Sequence, residues 1–516
     1  MHESGHISTR LCRVLPVRLA RLLRKPALAS ALLAVVGCVA NAPARGESVR
    51  PGTNEHRSAA PTLAHPAAKF PSSPVIPAAE IRADFAEWMH QMHDLNPDIA
   101  LRTDLARYDA ERREIEHHIT GPMTQLEVWG LFARLNPTFN DGHNGILMPD
   151  QYSWVQHYLD AGGTLLPLSV HVDGRNRVFV TSTLRGESQV VPHDRITAIN
   201  GRPTEEIVHA MLARAHGDTE RFRRELVSRR FGFLYLLLYG DTDSYRIDAR
   251  TPEGVVKYTT VKGISEMPEQ SRPNAPASTH FHSAVLPDGV GYLKAGTFDY
   301  RYAKSFHAFA DTAFTRFRAA NVKAVIIDIR DNGGGDDPLW QDELMQNVTS
   351  KPYRQISHVV IRVTKQNADS GDVIGSVQSK DYKKSIKPTP ENPIRFNGPV
   401  YILIGPYTYS SAIVFATSAQ DNGIAEIAGE ETGGYACQTG RVTEMKMERT
   451  KLDAFTPIFV LTRPSGAGCR MGVVPDIPLR IDPFDPGAVI HDLAAMAAAR
   501  ADARASAVGA AHTGRD

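Results

Sequence analysis

The chain is poor in the residues that would mark it early as something special. Four cysteines are spread over 516 residues. Two of them, Cys12 and Cys38, fall in a leader-like segment, so one internal pair, Cys437 with Cys469, is all that remains for a disulfide. Charge of either sign is not in excess: 58 Lys and Arg face 57 Asp and Glu, a formal net of +1. That balance leaves out the basic face that a nucleic-acid partner would need. No internal repeat is found, which leaves out a repeat architecture. Histidine is plentiful at 20, but His90 with His93, His117 with His118, and His280 with His282 lack further ligands at recognisable spacing. No metal or other cofactor is therefore expected. With 42% hydrophobic and 22% charged residues, the composition is that of a globular chain with two or three cored domains.

The cations are unevenly placed. Arg10, Arg13, Arg18, Arg21, Arg24 and Lys25 precede Cys38 against the single acid Glu3, and without that excess of five the chain carries −4. They lead into Ala27 to Val36, an apolar stretch too short to span a bilayer but suited to the core of an export signal. Val35-Val36-Gly37-Cys38 resembles a bacterial lipobox, which makes Cys38 a lipidation candidate and the N-terminus a lipid anchor. Cleavage after Ala42 or Ala44 is the alternative. Both imply an exported protein, periplasmic or anchored at the outer membrane. No later segment is apolar enough to cross a membrane.

Domain organisation follows from composition and periodicity. Residues 1–37 form the export signal, and 38–77, rich in Pro, Ala and Ser, a disordered linker. Residues 78–160 form an N-terminal helical domain, in which Ile81, Phe85, Trp88, Met92 and Leu95 recur at helical spacing and Thr124 with Glu127 suggests a capping box. Residues 161–265 alternate in short strands around the Asn200-Gly201 turn and resemble a PDZ-like β-rich domain, a type that binds extended peptide at a sheet edge. Residues 284–483 alternate strands and helices as an α/β core. Residues 484–516 read as an Ala-rich surface helix and a frayed tail.

The chemistry centres on Ser410. It lies between the apolar strand Val400 to Ile404 and a helix beginning near Ser411, where a hydroxyl can be presented to substrate. A hydroxyl needs a base to take its proton and donors for the oxyanion that results. His143, in the loop Asp141-Gly142-His143, offers the base. The amides of Ser411 and of Gly334 or Gly335, in the glycine run after the strand at Val325, offer the donors. Asp336 and Asp337 would repel a pyrophosphate there, so an oxyanion site fits better than a phosphate cradle. Ser410 could equally be a helix N-cap, and the glycines a tight turn.

Four blocks together carry a likeness to a known family. Asp328 to Gly335, Thr408 to Ala412, Gly429 to Gly434 and Gly472 to Asp476 resemble, in order, the signature blocks of the C-terminal-processing and tricorn-core serine peptidases. The resemblance covers roughly residues 80–479. It implies an α/β core of crotonase-like (ClpP/crotonase superfamily) type, Ser410 as nucleophile and His143 as the base of the histidine-using branch. The function implied is a serine endopeptidase acting on polypeptide through an acyl-enzyme, with a neutral-pH histidine profile. Departures are visible. The lysine of the processing branch is replaced by Tyr435, the acid after the serine block by Ile413, and the glutamate expected near Gly468 to Met471 is missing. Asp141, Glu431 and Asp476 remain candidates for the acidic partner. A non-proteolytic peptide- or lipid-binding protein on the same fold, or an esterase, is the alternative.

Overall fold

The structure, a computed structural model, describes residues 75–148, 151–184, 189–268, 272 and 274–513. Cys12, Cys38, the export signal and most of the linker lie outside the described residues. The linker's end does not: Ile76 pairs with Met123 by N–H···O contacts of 2.8 and 3.0 Å, so fixed structure begins before residue 78. Helix α1 (Ala78–Leu95) then buries Ile81, Phe85, Trp88 and Met92, one stripe at helical spacing. It packs on Ile115 of α2 (Leu105–His118) and on Val128, Trp129 and Phe132 of α3 (Gln125–Phe132). The capping box of α3 is present, with Glu127 N–H donating to Thr124 Oγ1 at 3.3 Å and Thr124 N–H to the Glu127 carboxylate at 2.8 Å. After the loop 140–144 comes the short strand β1 (Gly145–Leu147), and then α4 (Gln151–Asp160).

The next sheet is built from β2 (Leu168–Val172), β3 (Val178–Thr183), β4 (Arg195–Ile199), β5 (Arg202–Pro203), β6 (Ser244–Arg250) and β7 (Val256–Lys262). Its order is β2-β3-β4-β6-β7, with β5 on β4. The Asn200-Gly201 turn has φ of +52° and +79°, the left-handed values that Asn and Gly tolerate. Helices α5 (Thr204–Leu212) and α6 (Glu220–Tyr239) cover its inner face with Ile207, Met211, Val227, Phe231 and Tyr235. Helix α6, kinked at Arg230, runs beside β2, whose Val172 N–H donates to Ser228 Oγ at 2.9 Å.

The remaining chain adds β8 (Phe281–Val285), β9 (Val290–Ala295), α7 (Ala303–Ala319), β10 (Ala324–Asp328), β11 (His358–Arg362), β12 (Val377–Asp381), β13 (Val400–Ile404), α8 (Ser411–Asp421), β14 (Glu426–Gly429), β15 (Gln438–Lys446), β16 (Asp453–Thr462), β17 (Ile477–Pro478) and α9 (Ala488–Thr513). The central sheet runs β17-β14-β13-β10-β9-β8, parallel except for the β8–β9 pair. Its middle strands are buried throughout because both faces are covered. Val325, Ile327, Ile402 and Ile404 meet Phe314 and Phe317 of α7 and Phe415 of α8. Ala324, Ile326, Tyr401 and Leu403 meet Val489 and Leu493 of α9. The C-terminal helix expected on the surface is thus one layer of the core, and it continues to Thr513. The third sheet, β1-β16-β11-β12 with β15 on β16, joins the halves of the chain. Gly145 opposes Phe455 in the β1–β16 register, two residues past His143. The mixed α/β, multi-sheet architecture expected from the sequence is therefore present.

The burial of α9 has a measurable consequence. Leu493→Ala should lower the unfolding free energy by about 2–5 kcal/mol, read from urea denaturation. A loss under about 0.5 kcal/mol, the range of surface substitutions, would mean that the helix is not docked.

Candidate active site

Ser410 sits where β13 gives way to α8, with φ +53° and ψ −126°. A side chain there costs of order 1–3 kcal/mol of backbone strain, which neighbours must hold. They do so on both sides: Tyr409 N–H donates to Asn332 O at 3.0 Å, Thr408 Oγ1 to Ile329 O at 2.9 Å, and Gln438 Nε2 to Ser410 O at 2.8 Å. Ser410 stands at the N-cap position of α8, but its side chain makes no cap bond. Its Oγ lies instead 3.0 Å from His143 Nε2, across 267 residues of sequence.

The imidazole is 4% exposed and lies against the Tyr409 ring at 4.9 Å between centroids. Its other nitrogen, Nδ1, meets two hydroxyls, Thr439 Oγ1 at 3.1 Å and Tyr409 OH at 3.3 Å. Each hydroxyl spends its single proton on a carboxylate: Thr439 on Asp141 Oδ1 at 2.7 Å and Tyr409 on Asp218 Oδ1 at 2.6 Å. Both oxygens are then acceptors toward His143, so Nδ1 carries the ring proton and Nε2 turns its lone pair to Ser410. Of the acids considered from sequence, Asp141 reaches the ring through Thr439, its own Oδ1 lying 3.9 Å from Nδ1. Glu431 and Asp476 do not reach it. They hold backbone, Glu431 accepting from Gly472 N–H and Asp476 from Ile427 N–H, each at 2.8 Å.

Burial shifts the titrations in opposite directions. It pulls His143 down to about 4, the Asp218 charge opposing and Arg102 adding to the fall. It pushes Asp141 up to about 6, with the Asp218 charge working the same way. His143 is therefore neutral well below its ordinary value of 6.5, rather than titrating near neutrality as expected from the residue type.

The glycine run packs onto the serine turn. A Cβ on Gly334, whose φ is +110°, would stand 2.5 Å from Ser410 Cβ and 3.1 Å from Ser411 N. Gly334 thus keeps open the space before the Ser411 amide. As a donor it is engaged, because its N–H is given to Asn332 Oδ1 at 2.8 Å. Of the two glycines considered for that donor, Gly335 therefore remains, and its N–H has no partner among the described residues. Ser411 is fixed by its own hydroxyl, which donates to Asp337 Oδ1 at 2.5 Å and accepts from Trp340 Nε1 at 2.9 Å. Burial raises the Asp337 carboxyl above its usual range.

Cys437 and Cys469 are joined, Sγ to Sγ, at 1.97 Å. The bond lies one residue before Gln438 and two before Thr439. Tyr435, at the place of the missing lysine, gives its N–H to Asp218 Oδ2 at 2.9 Å and lies under the Arg102 guanidinium at 4.1 Å. Ile413 is buried in the core. The sequence reading missed Asp218, Thr439, Tyr409, Gln438 and Arg102. None of these had a local sequence signal that marks a site residue. A cavity of about 910 Å³ lies elsewhere, between β2, β3, α6 and the core, bounded by Phe179, Arg229, Lys294, Tyr407 and Phe484. Neither Ser410 nor His143 lines it.

The chain is similar to several known proteins. A curated Arabidopsis thaliana protein, carboxyl-terminal-processing peptidase 2, chloroplastic, is 24% identical over 197 residues, 37% of this chain and 32% of its own length. The C-terminal processing peptidase, chloroplastic, of Tetradesmus obliquus is 27% identical over 157 residues, 30% of this chain and 28% of its own length. The chain thus matches about a third of each relative's length. The crystal structure of mature CPAF has a similar fold at 16% identity, TM-score 0.56, over 79% of this chain and 94% of that one. Residues 289–479 match Peptidase family S41; they include Ser410 and the glycine run but neither His143 nor Asp218. Residues 289–479 of the chain thus match a Peptidase family S41 domain, and His143, which lies 3.0 Å from Ser410 Oγ, stands outside the matched residues.

Proposed function

We propose that this protein is a serine endopeptidase. The observation that carries the reading is the 3.0 Å approach of Ser410 Oγ to His143 Nε2 with Ser410 held in a strained turn. In the reaction, His143 Nε2 takes the Ser410 proton as Oγ attacks the scissile carbonyl carbon. The oxyanion is held by the amides of Ser411 and Gly335. The imidazolium then gives its proton to the departing amine, the C–N bond breaks, and an acyl-enzyme remains for water to cleave by the same base. The neutral tautomer with Nδ1 protonated is the form able to begin this sequence. A non-proteolytic carrier is not favoured, because a carrier has no use for an aligned base and a strained nucleophile. We read the β2–β7 sheet as a PDZ-like module for docking polypeptide and the central sheet as crotonase-like. We also propose export, with lipid on Cys38, in an oxidising compartment that suits the Cys437–Cys469 bond.

Ser410→Ala should fold normally, with a melting midpoint within about 2 °C of wild type. It should lose labelling by a fluorophosphonate probe and roughly 10⁴-fold or more in kcat on a peptide substrate. Equal labelling of wild type and variant would sink the assignment.

The pH profile tests the base. Activity needs neutral His143, so kcat/KM should hold down to about pH 5 and reach half its plateau near the imidazole value of about 4. An acid limb centred near 6.5, the ordinary value, would mean an imidazole open to solvent. For stability the signs differ: the lowered His143 weakens the fold as pH falls from 6.5 toward about 4, whereas the raised Asp141 strengthens it as pH falls from about 6 toward 3.8. The two effects oppose each other over most of that range.

For the anchor, Cys38→Ala should abolish incorporation of labelled palmitate and leave fluorophosphonate labelling intact. Undiminished incorporation would overturn lipidation at that residue.

A further inference from the structure

Asp218 is 2% exposed and belongs to none of the sequence blocks that carry the family likeness. Its carboxylate gathers donors from four separate segments. Oδ1 accepts from Tyr409 OH at 2.6 Å and from Gly142 N–H, between Asp141 and His143, at 2.7 Å. Oδ2 accepts from Tyr435 N–H at 2.9 Å and pairs with Arg102 Nη1 at 3.3 Å. A buried carboxylate with four donors is a fixed acceptor, and it leaves the Tyr409 hydroxyl one orientation. The Tyr409 oxygen can then only accept from His143 Nδ1.

We propose that Asp218, acting through the Tyr409 hydroxyl, is the positioning residue that sets the tautomer and orientation of His143. The inference rests on the serine-peptidase reading. It fills the role of the acidic partner that the sequence lacks, from a part of the chain with no motif to announce it. The second relay, Thr439 to Asp141, is of the same kind but depends on the charge of Asp141. Once Asp141 takes a proton, it can donate a hydrogen bond to Thr439 Oγ1, and the threonine hydroxyl can turn its own proton to Nδ1, which leaves the ring proton on Nε2, the wrong tautomer for catalysis. The Tyr409 relay opposes this reversal. Asp141 is pushed up to about 6, so the two relays separate on the acid side of neutrality. The ionisable groups around the imidazole are Asp141 on its own loop, Asp218 and His216 before α6, Arg223 within α6, Arg102 beyond α1, and Tyr409 and Tyr435 in the core. His216 is itself pulled down to about 3 by burial and gives Nδ1 to Gly142 O at 3.1 Å; it adds no charge in the range tested.

The test is Tyr409→Phe, which cuts the relay and leaves Asp218 its other three donors. Its kcat should fall about 3- to 10-fold near pH 7.5 and about 30- to 100-fold near pH 5, with KM within about 3-fold, a loss of transition-state stabilisation alone. Asp218→Asn should give a kcat loss at least as large, and adding Tyr409→Phe to it should cost little more, because both act in one chain. Where Asp218→Asn disturbs folding, the single Tyr409→Phe variant decides. A deficit independent of pH, or one confined to KM, overturns the proposal and leaves the serine-peptidase reading standing. A wild-type protein with no Ser410-dependent turnover would instead count against that reading. The tautomer can still be read by nitrogen NMR of ring-labelled histidine. Nδ1–H in wild type and a mixture in Tyr409→Phe near pH 5 is the expected result; unchanged Nδ1–H in the variant overturns the proposal.

Discussion

One imidazole has to carry one proton, on one nitrogen, in a place that water hardly reaches. Burial keeps His143 neutral but does not choose between its two nitrogens, and a neutral ring with the wrong tautomer would offer Ser410 a donor instead of a base. The choice is made by hydroxyl oxygens whose own protons are already committed to carboxylates. This arrangement differs from a carboxylate placed directly on the ring. The negative charge stays one hydroxyl away, so it fixes geometry while stabilising the imidazolium less, in keeping with a base held near 4.

Much of the molecule serves that arrangement. The serine turn belongs to the central sheet, whose apolar strands covered on both faces make the junction rigid. His143 belongs to a loop at the edge of the helical layer, and β1 stitches that loop to β16 in the antiparallel sheet. The same hairpin, through β15, delivers Thr439 and Gln438 to the ring and to Ser410 O. Its far end, Met445, Met447 and Leu452, is buried in the core of the N-terminal helices. Arg449 and Thr450 there give their amides to Asp84, a buried carboxylate on α1. The helical layer and the hairpin are thus one packed unit.

The sequence made the central sheet legible because its signals are local: strongly apolar strands, small residues at the turns, and helices of ordinary period. Ser410, Gly334 and Gly335 were legible for the same reason. Helix α6 was not read in advance, because its arginines and aromatics blur the helical period and its burial is shared between the β2–β7 sheet and Tyr407 and Tyr409. The acidic partner was illegible for a different reason. A carboxylate that acts through a hydroxyl need not stand at a set spacing from the histidine, and Asp218 lies 76 residues from the Gly142 amide it accepts. Glu431 and Asp476 sat in recognisable blocks and proved to be braces for the backbone. The Gly334 amide shows the limit within a motif: sequence could nominate the glycine run, and only the Asn332 contact shows that Gly334 supplies room.

Sequence distance also governs when the site can exist. His143 lies 267 residues before Ser410 and 296 before Thr439, the two residues that its ring meets. During synthesis, which proceeds at about 5–20 residues per second, the helical layer emerges many seconds before the segment it must meet. Until the β15–β16 hairpin docks, the growing polypeptide has a histidine without a serine, and later a serine without an oriented histidine. The constellation around Ser410 is therefore complete only after the β15–β16 hairpin, one of the later segments to be synthesised, has docked.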